Sequence, residues 1–174
     1  MTAVGSFRIR VSRPDDLAKL PEIERAADAI YFAALGVPDP MMPPVAEAVF
    51  ARCHAAGTVW VAADPADEPV GFILGTELDG AFYLIEMDVL PAHHGRGLGR
   101  ALMETAIGHA RWALYPAVAL TTDRHIPFNA PFYRRLGFVE LRPEDLSPGL
   151  RGVLEREATA GFDTARRVAM AKSL

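Results

Sequence analysis

LIEMDVLPAHHGRGLGRALM, residues 84–103, passes from an apolar strand through a proline into a loop with glycine at alternate positions, and from there into a helix. Gly95, Gly97 and Gly99 let the backbone approach a ligand without intervening side chains. Successive N–H groups of such a loop, followed by the unsatisfied N–H groups of a helix start, point at one small volume, and the helix dipole adds positive potential there. An anion is the natural occupant, a phosphate or pyrophosphate above all. Spacing narrows the choice. A dinucleotide fingerprint fails because Arg100 stands at the third glycine position and Tyr115 occupies the later region where an acid is needed. A nucleotide-hydrolysing phosphate loop fails as well, since Gly99 is followed by Arg100 and Ala101, leaving neither the lysine for the phosphates nor the hydroxyl for Mg²⁺.

Working outward, three runs before the loop alternate as strands: residues 58–63, 70–77 and 81–90, separated by turns at Asp64 to Pro69 and at Asp79-Gly80. Short connections make them an antiparallel meander that ends on the strand feeding the loop. After the loop a helix is expected over 98–114, with Leu102, Ala106, Ala110 and Ala113 on one stripe, and then a strand over 117–122. Strand, loop, helix and strand in this order form a right-handed crossover with parallel strands, which places a ligand at the carboxyl end of the first strand. Near the N-terminus, residues 7–11 read as a strand and Arg13-Pro14-Asp15-Asp16 opens a helix whose apolar stripe is Leu17, Leu20, Ile23, Ala26, Ala27 and Ile30. Glu22, Glu24 and Asp28 fall off that stripe and are expected on a solvated face. Residues 36–44, rich in proline, read as an ordered loop, and 45–55 as a weaker helix with His54 near its end. The tail carries a helix over 148–158, a break at Gly161 and a strand over 167–171 that closes the sheet.

A chain of 174 residues, 51% hydrophobic and 23% charged, suits one domain, 1–174, with a proper core. No stretch approaches eighteen uncharged apolar residues and no secretory leader is evident, so a cytoplasmic protein is expected. The net charge of −4 disfavours a nucleic-acid partner and mildly favours cationic substrates. One cysteine, Cys53, excludes an internal disulfide and a multi-cysteine metal site, and reads as a small buried hydrophobe. No metal is implied. In the strand before the loop, Glu86 and Asp88 share a face with Phe82, Leu84 and Leu90. Two carboxylates there fit either a solvent-facing strand or a cleft in which a desolvated carboxylate accepts a proton from an ammonium substrate. Glu86 is balanced between the two, and Asp88 reads as solvent-facing.

Val89-Leu90-Pro91 followed by His94, Gly95, Arg96, Gly97, Leu98 and Gly99 resembles motif A of the GNAT superfamily of acyl-CoA-dependent N-acetyltransferases, Gln/Arg-x-x-Gly-x-Gly/Ala after a strand ending Val-x-Pro. One position departs, with His94 in place of Gln or Arg. A second stretch, HIPFNAPFYRRLGF (125–138), resembles the family's Asn-x-x-x-x-Tyr and Gly-Phe pattern through Asn129, Tyr133, Gly137 and Phe138. Locally, Asn129 suits a helix cap, Pro131 the first turn and Gly137 a left-handed terminus.

The resemblance implies an α/β (α+β) fold with a mixed, mostly antiparallel central sheet flanked by helices and a splayed parallel strand pair that admits acyl-CoA. It implies acetyl-CoA as cosubstrate and direct transfer of its acetyl group to a primary amine. The loop from His94 to Gly99, with Arg96 and Arg100, would take the pyrophosphate, Asn129 would contact the pantetheine arm, and backbone N–H groups of Asp88, Val89 and Leu90 would hold the acetyl oxygen. Glu86 would be the base. Tyr83 stands behind it, because the bulge usual in this strand of the family changes which residues share a face. Tyr133 would face the cofactor sulfur and protonate the leaving thiolate. A small-molecule or peptide amine is the expected partner, with no membrane involved and a homodimer among the permitted assemblies. Two readings compete: a non-catalytic acyl-CoA sensor, which needs the loop but no acid or base, and a nicotinamide or nucleotide binder.

Overall fold

The computed structural model describes residues 2–36 and 44–174, over which six strands and five helices form where alternation and helical period place them, and two further short strands, Thr2–Val4 and Val139–Glu140, form where neither was expected. The expected loop at 36–44 thus lies outside the described residues apart from its two ends. Contacts divide the chain into two compact units. The first comprises Met1–Thr76 and Leu84–His109, the second Glu77–Tyr83 and Ala110–Leu174.

The first unit holds strands β1 (Thr2–Val4), β2 (Phe7–Val11), β3 (Val59–Ala63), most of β4 (Pro69–Leu78) and the latter part of β5 (Ala81–Val89), with helices α1 (Leu20–Leu35), α2 (Glu47–Ala55) and most of α3 (Leu98–Trp112). Strands β1 to β4 pair in sequence order, antiparallel throughout. Asp79 and Gly80, both with positive φ (50° and 81°), make the tight turn between β4 and β5. Val59 and Val61 of β3 and Phe72 and Leu74 of β4 bury one face of the sheet against Leu20 and Ile23 of α1 and Phe50 and Cys53 of α2. The Phe50 and Phe72 rings meet edge to face at 5.5 Å. The helix opened by Arg13-Pro14 is first a short 3-10 turn at Pro14–Asp16, and α1 proper begins at Leu20.

Ile85 and Leu90 both pack against this core, although strict alternation puts them on opposite faces. The alternation therefore breaks between them. At the same place Leu90 N donates to Val70 O at 2.8 Å, and β4 comes so close that a Cβ on Gly71 would lie 2.9 Å from both Asp88 O and Val89 Cγ2. Only glycine fits there.

In the second unit, β6 (Ala117–Asp123) pairs parallel with β5 at Phe82–Val118 and Tyr83–Ala119. Among the described residues that is the one parallel pair in a mixed, mostly antiparallel order of strands, as the fold class anticipated. Helices α4 (Ala130–Arg135) and α5 (Pro148–Thr159) and strands β7 (Val139–Glu140) and β8 (Arg167–Ser173) complete the unit. The tail does add a strand, but β8 lies between β6 and β7, pairing antiparallel with each, instead of lying outermost. Among the described residues no helix is long and apolar enough to cross a membrane.

Candidate active site

The glycine loop leaves β5 through a 3-10 turn at Pro91–His93. Gly95 (φ 73°) and Gly97 (φ 80°) both take left-handed backbone, which fixes the path by which the chain turns into α3. Ala101 N donates to Gly97 O at 3.0 Å, so the first turn of α3 starts directly from the loop. Its leading N–H groups have no acceptor within the helix. Leu98, 1% exposed, anchors the loop, while His94, Gly95, Arg96 and Gly97 face solvent.

His94 departs from the family pattern, and the structure gives it a different task. Its Nε2 donates to Val89 O at 2.8 Å, tying the loop back to the end of β5. Arg96 lies over the Phe7 ring at 5.7 Å, and Phe7 meets His93 edge to face at 5.4 Å. The arginine is thereby held beside the loop by packing. Arg100 is exposed and pairs with Glu104 at 3.4 Å, a contact water will exchange freely.

Four carboxylates of the first unit come from α1 and β5: Glu24, Asp28, Glu86 and Asp88. Glu24 was expected on a solvated face, yet it is 3% exposed. The cause is that α1 is covered on a second side: Val45 N donates to Glu24 Oε1 at 2.7 Å. Glu24 Oε2 is buried without a hydrogen-bond partner, and Asp88 Oδ2 is in the same condition. Asp88 is thus not solvent-facing as expected: the residue keeps some exposed surface, but its carboxyl is enclosed. Burial pushes that carboxyl well above the usual carboxylate range, and the like charges of Glu86, Asp28 and Glu24 push it further. Glu24 and Asp28 are raised too, in both cases by burial first. Glu86 is half-buried, and its Oε1 accepts from Met87 N at 3.2 Å. Leu90's N–H, one of the three backbone donors expected for an acyl oxygen, is already committed to Val70.

In the second unit Tyr83 is 9% exposed and bonded to Thr121 Oγ1 at 3.1 Å. Thr121 in turn donates to Glu157 Oε1 at 2.6 Å, and Arg167 grips Glu157 with Nε and Nη2 at 2.9 and 2.6 Å. Thr121 has one proton and gives it to the carboxylate, so Tyr83 must donate to Thr121. Asn129 stands at the N-cap of α4 but does not cap with its side chain. Its Nδ2 donates instead to Thr122 Oγ1 at 2.9 Å, leaving Oδ1 buried without a partner. Tyr133, partly exposed on α4, is framed by Phe132 and Phe138 with ring centres at 5.2 and 5.8 Å. Gly137 ends the helix with φ 88°, as its place after α4 required.

Cys53 is buried and its thiol raised by that burial, which makes it a poor nucleophile. Among the described residues no three His, Cys, Asp or Glu side chains could hold a metal ion.

Comparison with known proteins follows the same lines. Residues 55–140 match the family model described as acetyltransferase (GNAT) domain. Over 82 residues, 46% of this chain, the sequence is 34% identical to the peptidyl-lysine N-acetyltransferase YjaB of Salmonella typhimurium. The matched stretch spans about half of that relative, 49% of its length. A GNAT-family acetyltransferase of Staphylococcus aureus superposes with a TM-score of 0.72 at 18% identity, covering 97% of this chain and 99% of that one. The PaiA N-acetyltransferase of Thermoplasma acidophilum, solved with coenzyme A, gives 0.69 at 16% identity over 97% and 99% of the two chains. The matched region contains β5, the glycine loop and α3, and on these grounds residues 55–140 of the chain belong to the GNAT acetyltransferase superfamily.

Proposed function

We propose that residues 1–174 act as one N-acetyltransferase domain that moves an acetyl group from acetyl-CoA to a primary amine by direct attack. The observation that carries this is the loop itself: two left-handed glycines leading without interruption into α3, in the family's spacing. The residues present suit the cosubstrate, because exposed backbone donors with Arg96 and Arg100 beside them fit a pyrophosphate, and the orphaned Oδ1 of Asn129 fits an amide donor such as the pantetheine arm carries. Acetyl-CoA supplies an acyl group already activated as a thioester.

The chain's own work is proton handling and positioning. Glu86 accepts a proton from the acceptor's ammonium, directly or through a water, so that the nitrogen lone pair becomes available. Tyr83 stands second for this role because its hydroxyl is engaged by Thr121. Backbone N–H groups of Asp88 and Val89 orient the acyl oxygen and favour the charge that develops on it. Tyr133 donates a proton to the departing sulfur. Cys53, enclosed and raised, takes no covalent part.

The test is release of free CoA from acetyl-CoA with a panel of primary amines, run beside a melting-temperature titration with CoA, NAD and ATP. Turnover on at least one amine, with stabilisation by CoA alone, is the expected result. Stabilisation by CoA with no turnover on any amine would make the protein a sensor. Stabilisation by NAD or ATP and not by CoA would overturn the reading altogether.

A further inference from the structure

Helix α3 keeps Leu102, Met103, Ala106 and Ala110 inside and turns Arg100, Glu104, Gly108, Arg111 and Trp112 outward. With 3.6 residues to a turn, the outward residues fall in one sector of the helix, with Gly108 near its middle. Three features here differ from what a solvated helix face normally carries. Trp112 is 82% exposed, and Leu114, just past the helix end, is 88% exposed. Leu114 also takes left-handed backbone, φ 62°, at the place where glycine usually ends a helix. The end is closed around it, with Tyr115 N on Ala110 O at 2.9 Å and Leu114 N on Arg111 O at 3.1 Å. Gly108 stands in mid-helix, where alanine is favoured, yet among the described residues a Cβ built on it would meet nothing within 4 Å. The chain's own packing there does not ask for glycine.

A second helix laid across Gly108 gives all three a purpose: the missing Cβ lets two backbones approach, and the large apolar side chains at the helix end are covered. The charges on the face select which helix. When two copies of α3 cross antiparallel at Gly108, residues equally distant from it on either side face each other, so Glu104 of one copy falls beside Arg111 of the other, and Trp112 beside Thr105. The two-fold requires Glu104 and Arg111 to lie on the same flank, and they do, about 40° and 60° from the direction of Gly108. Glu104 meets its own Arg100 only at 3.4 Å, which leaves its carboxylate able to accept from a second arginine. A lipid surface fits poorly, because an acid is interleaved with the arginines. A stable dimer needs about 800 Å² from each partner, and the 15 residues of α3 span about 22 Å, so this contact makes a reversible dimer and not an obligate one.

We propose that the outward face of α3 is a homodimer surface, two copies crossing antiparallel at Gly108, with Glu104 of each bonded to Arg111 of the other and Trp112 and Leu114 covered at the two ends. The proposal goes beyond the transferase reading and does not rest on it.

The test is sedimentation velocity without acetyl-CoA or acceptor, from about 1 to about 300 µM protein, so that association is read by mass action alone. The parent should pass from monomer to dimer across this range. Trp112→Ser and Arg111→Glu should each weaken association by about tenfold or more. Glu104→Arg combined with Arg111→Glu in one chain should restore it, because the two-fold pairs each reversed charge with the other. Gly108→Gln separates association from folding: it should raise the Tm of dilute monomer by about 1–2 °C, as helix propensity requires, and still weaken association by about tenfold or more. A parent that stays monomeric at the highest concentration would overturn the proposal. So would association that Trp112→Ser and Gly108→Gln leave unchanged, which would put the contact elsewhere, or a double reversal that fails to recover what Arg111→Glu loses, which would refute the antiparallel register.

Discussion

Replacing Asp88 with asparagine should make the protein more stable at neutral pH and leave it nearly unchanged at pH 4. Asp88 Oδ2 is buried without a hydrogen-bond partner, and burial, then Glu86, Asp28 and Glu24, raise the carboxyl well above its ordinary range. An acid raised in this way binds its proton more tightly in the folded state than in the unfolded one. The native state is therefore favoured most below the ordinary carboxylate range, and that advantage is lost as pH rises through the folded pKa. Asparagine keeps the shape, removes the charge and offers an N–H to its acidic neighbours. An enclosed polar group without a partner costs about 1–3 kcal/mol, and a gain of about 2 kcal/mol corresponds to about 4–8 °C in Tm for a chain of this size. Differential scanning calorimetry of parent and Asp88→Asn from pH 4 to pH 8 reads this directly. The difference in Tm should open steadily with pH. A difference that is flat across the range, or a variant that melts lower at pH 8, would refute the account of Asp88 as an enclosed, unsatisfied acid.

Gly97→Asp should abolish stabilisation by CoA in a melting titration, since a carboxylate in the loop repels an anion; equal affinity of variant and parent would remove the loop from the site. Glu86→Gln should lower turnover by about 10² or more at moderate pH and recover in part at high pH, where more acceptor is already neutral, as a pH–rate profile will show. Tyr133→Phe should slow turnover while leaving CoA affinity near that of the parent; retention of full rate from pH 6 to 9, in this variant and in Glu86→Gln, would move the proton steps elsewhere. Glu157→Ala should cost about 3–5 kcal/mol in urea unfolding, because Arg167 would lose the carboxylate that grips it through two nitrogens while its charge stays largely buried.

The glycine loop and the strands leading to it were legible because each depends on local chemistry. Positive φ at Gly95 and Gly97, the Asp79-Gly80 turn and the alternation of 59–63 and 70–74 need no knowledge of distant residues. The acids were not legible. A single apolar stripe on α1 implies that everything off it meets water, and Glu24 escapes the rule because Val45, far along the chain, covers a second side of the helix. Asp88 was misread for a related reason: the break in alternation between Ile85 and Leu90 follows from the close approach of Gly71, which no pattern within β5 announces. Tyr83's partners, Thr121, Glu157 and Arg167, come from a strand, a helix and another strand, and nothing near residue 83 points to them. Asn129 took its cap position by backbone alone and gave its side chain to Thr122 on the preceding strand.

The place of β8 between β6 and β7 bears on how the protein is made. On the ribosome β7 emerges before the strand it must lie against, and it waits through the synthesis of α5 and β8, a delay on the order of seconds. Until then β6 also lacks its neighbour on that side, and its Ala-Val-Ala-Leu run is an uncovered edge. The hazard during synthesis is therefore aggregation through β6, and holding chaperones or slowed translation over residues 141–173 would act on it.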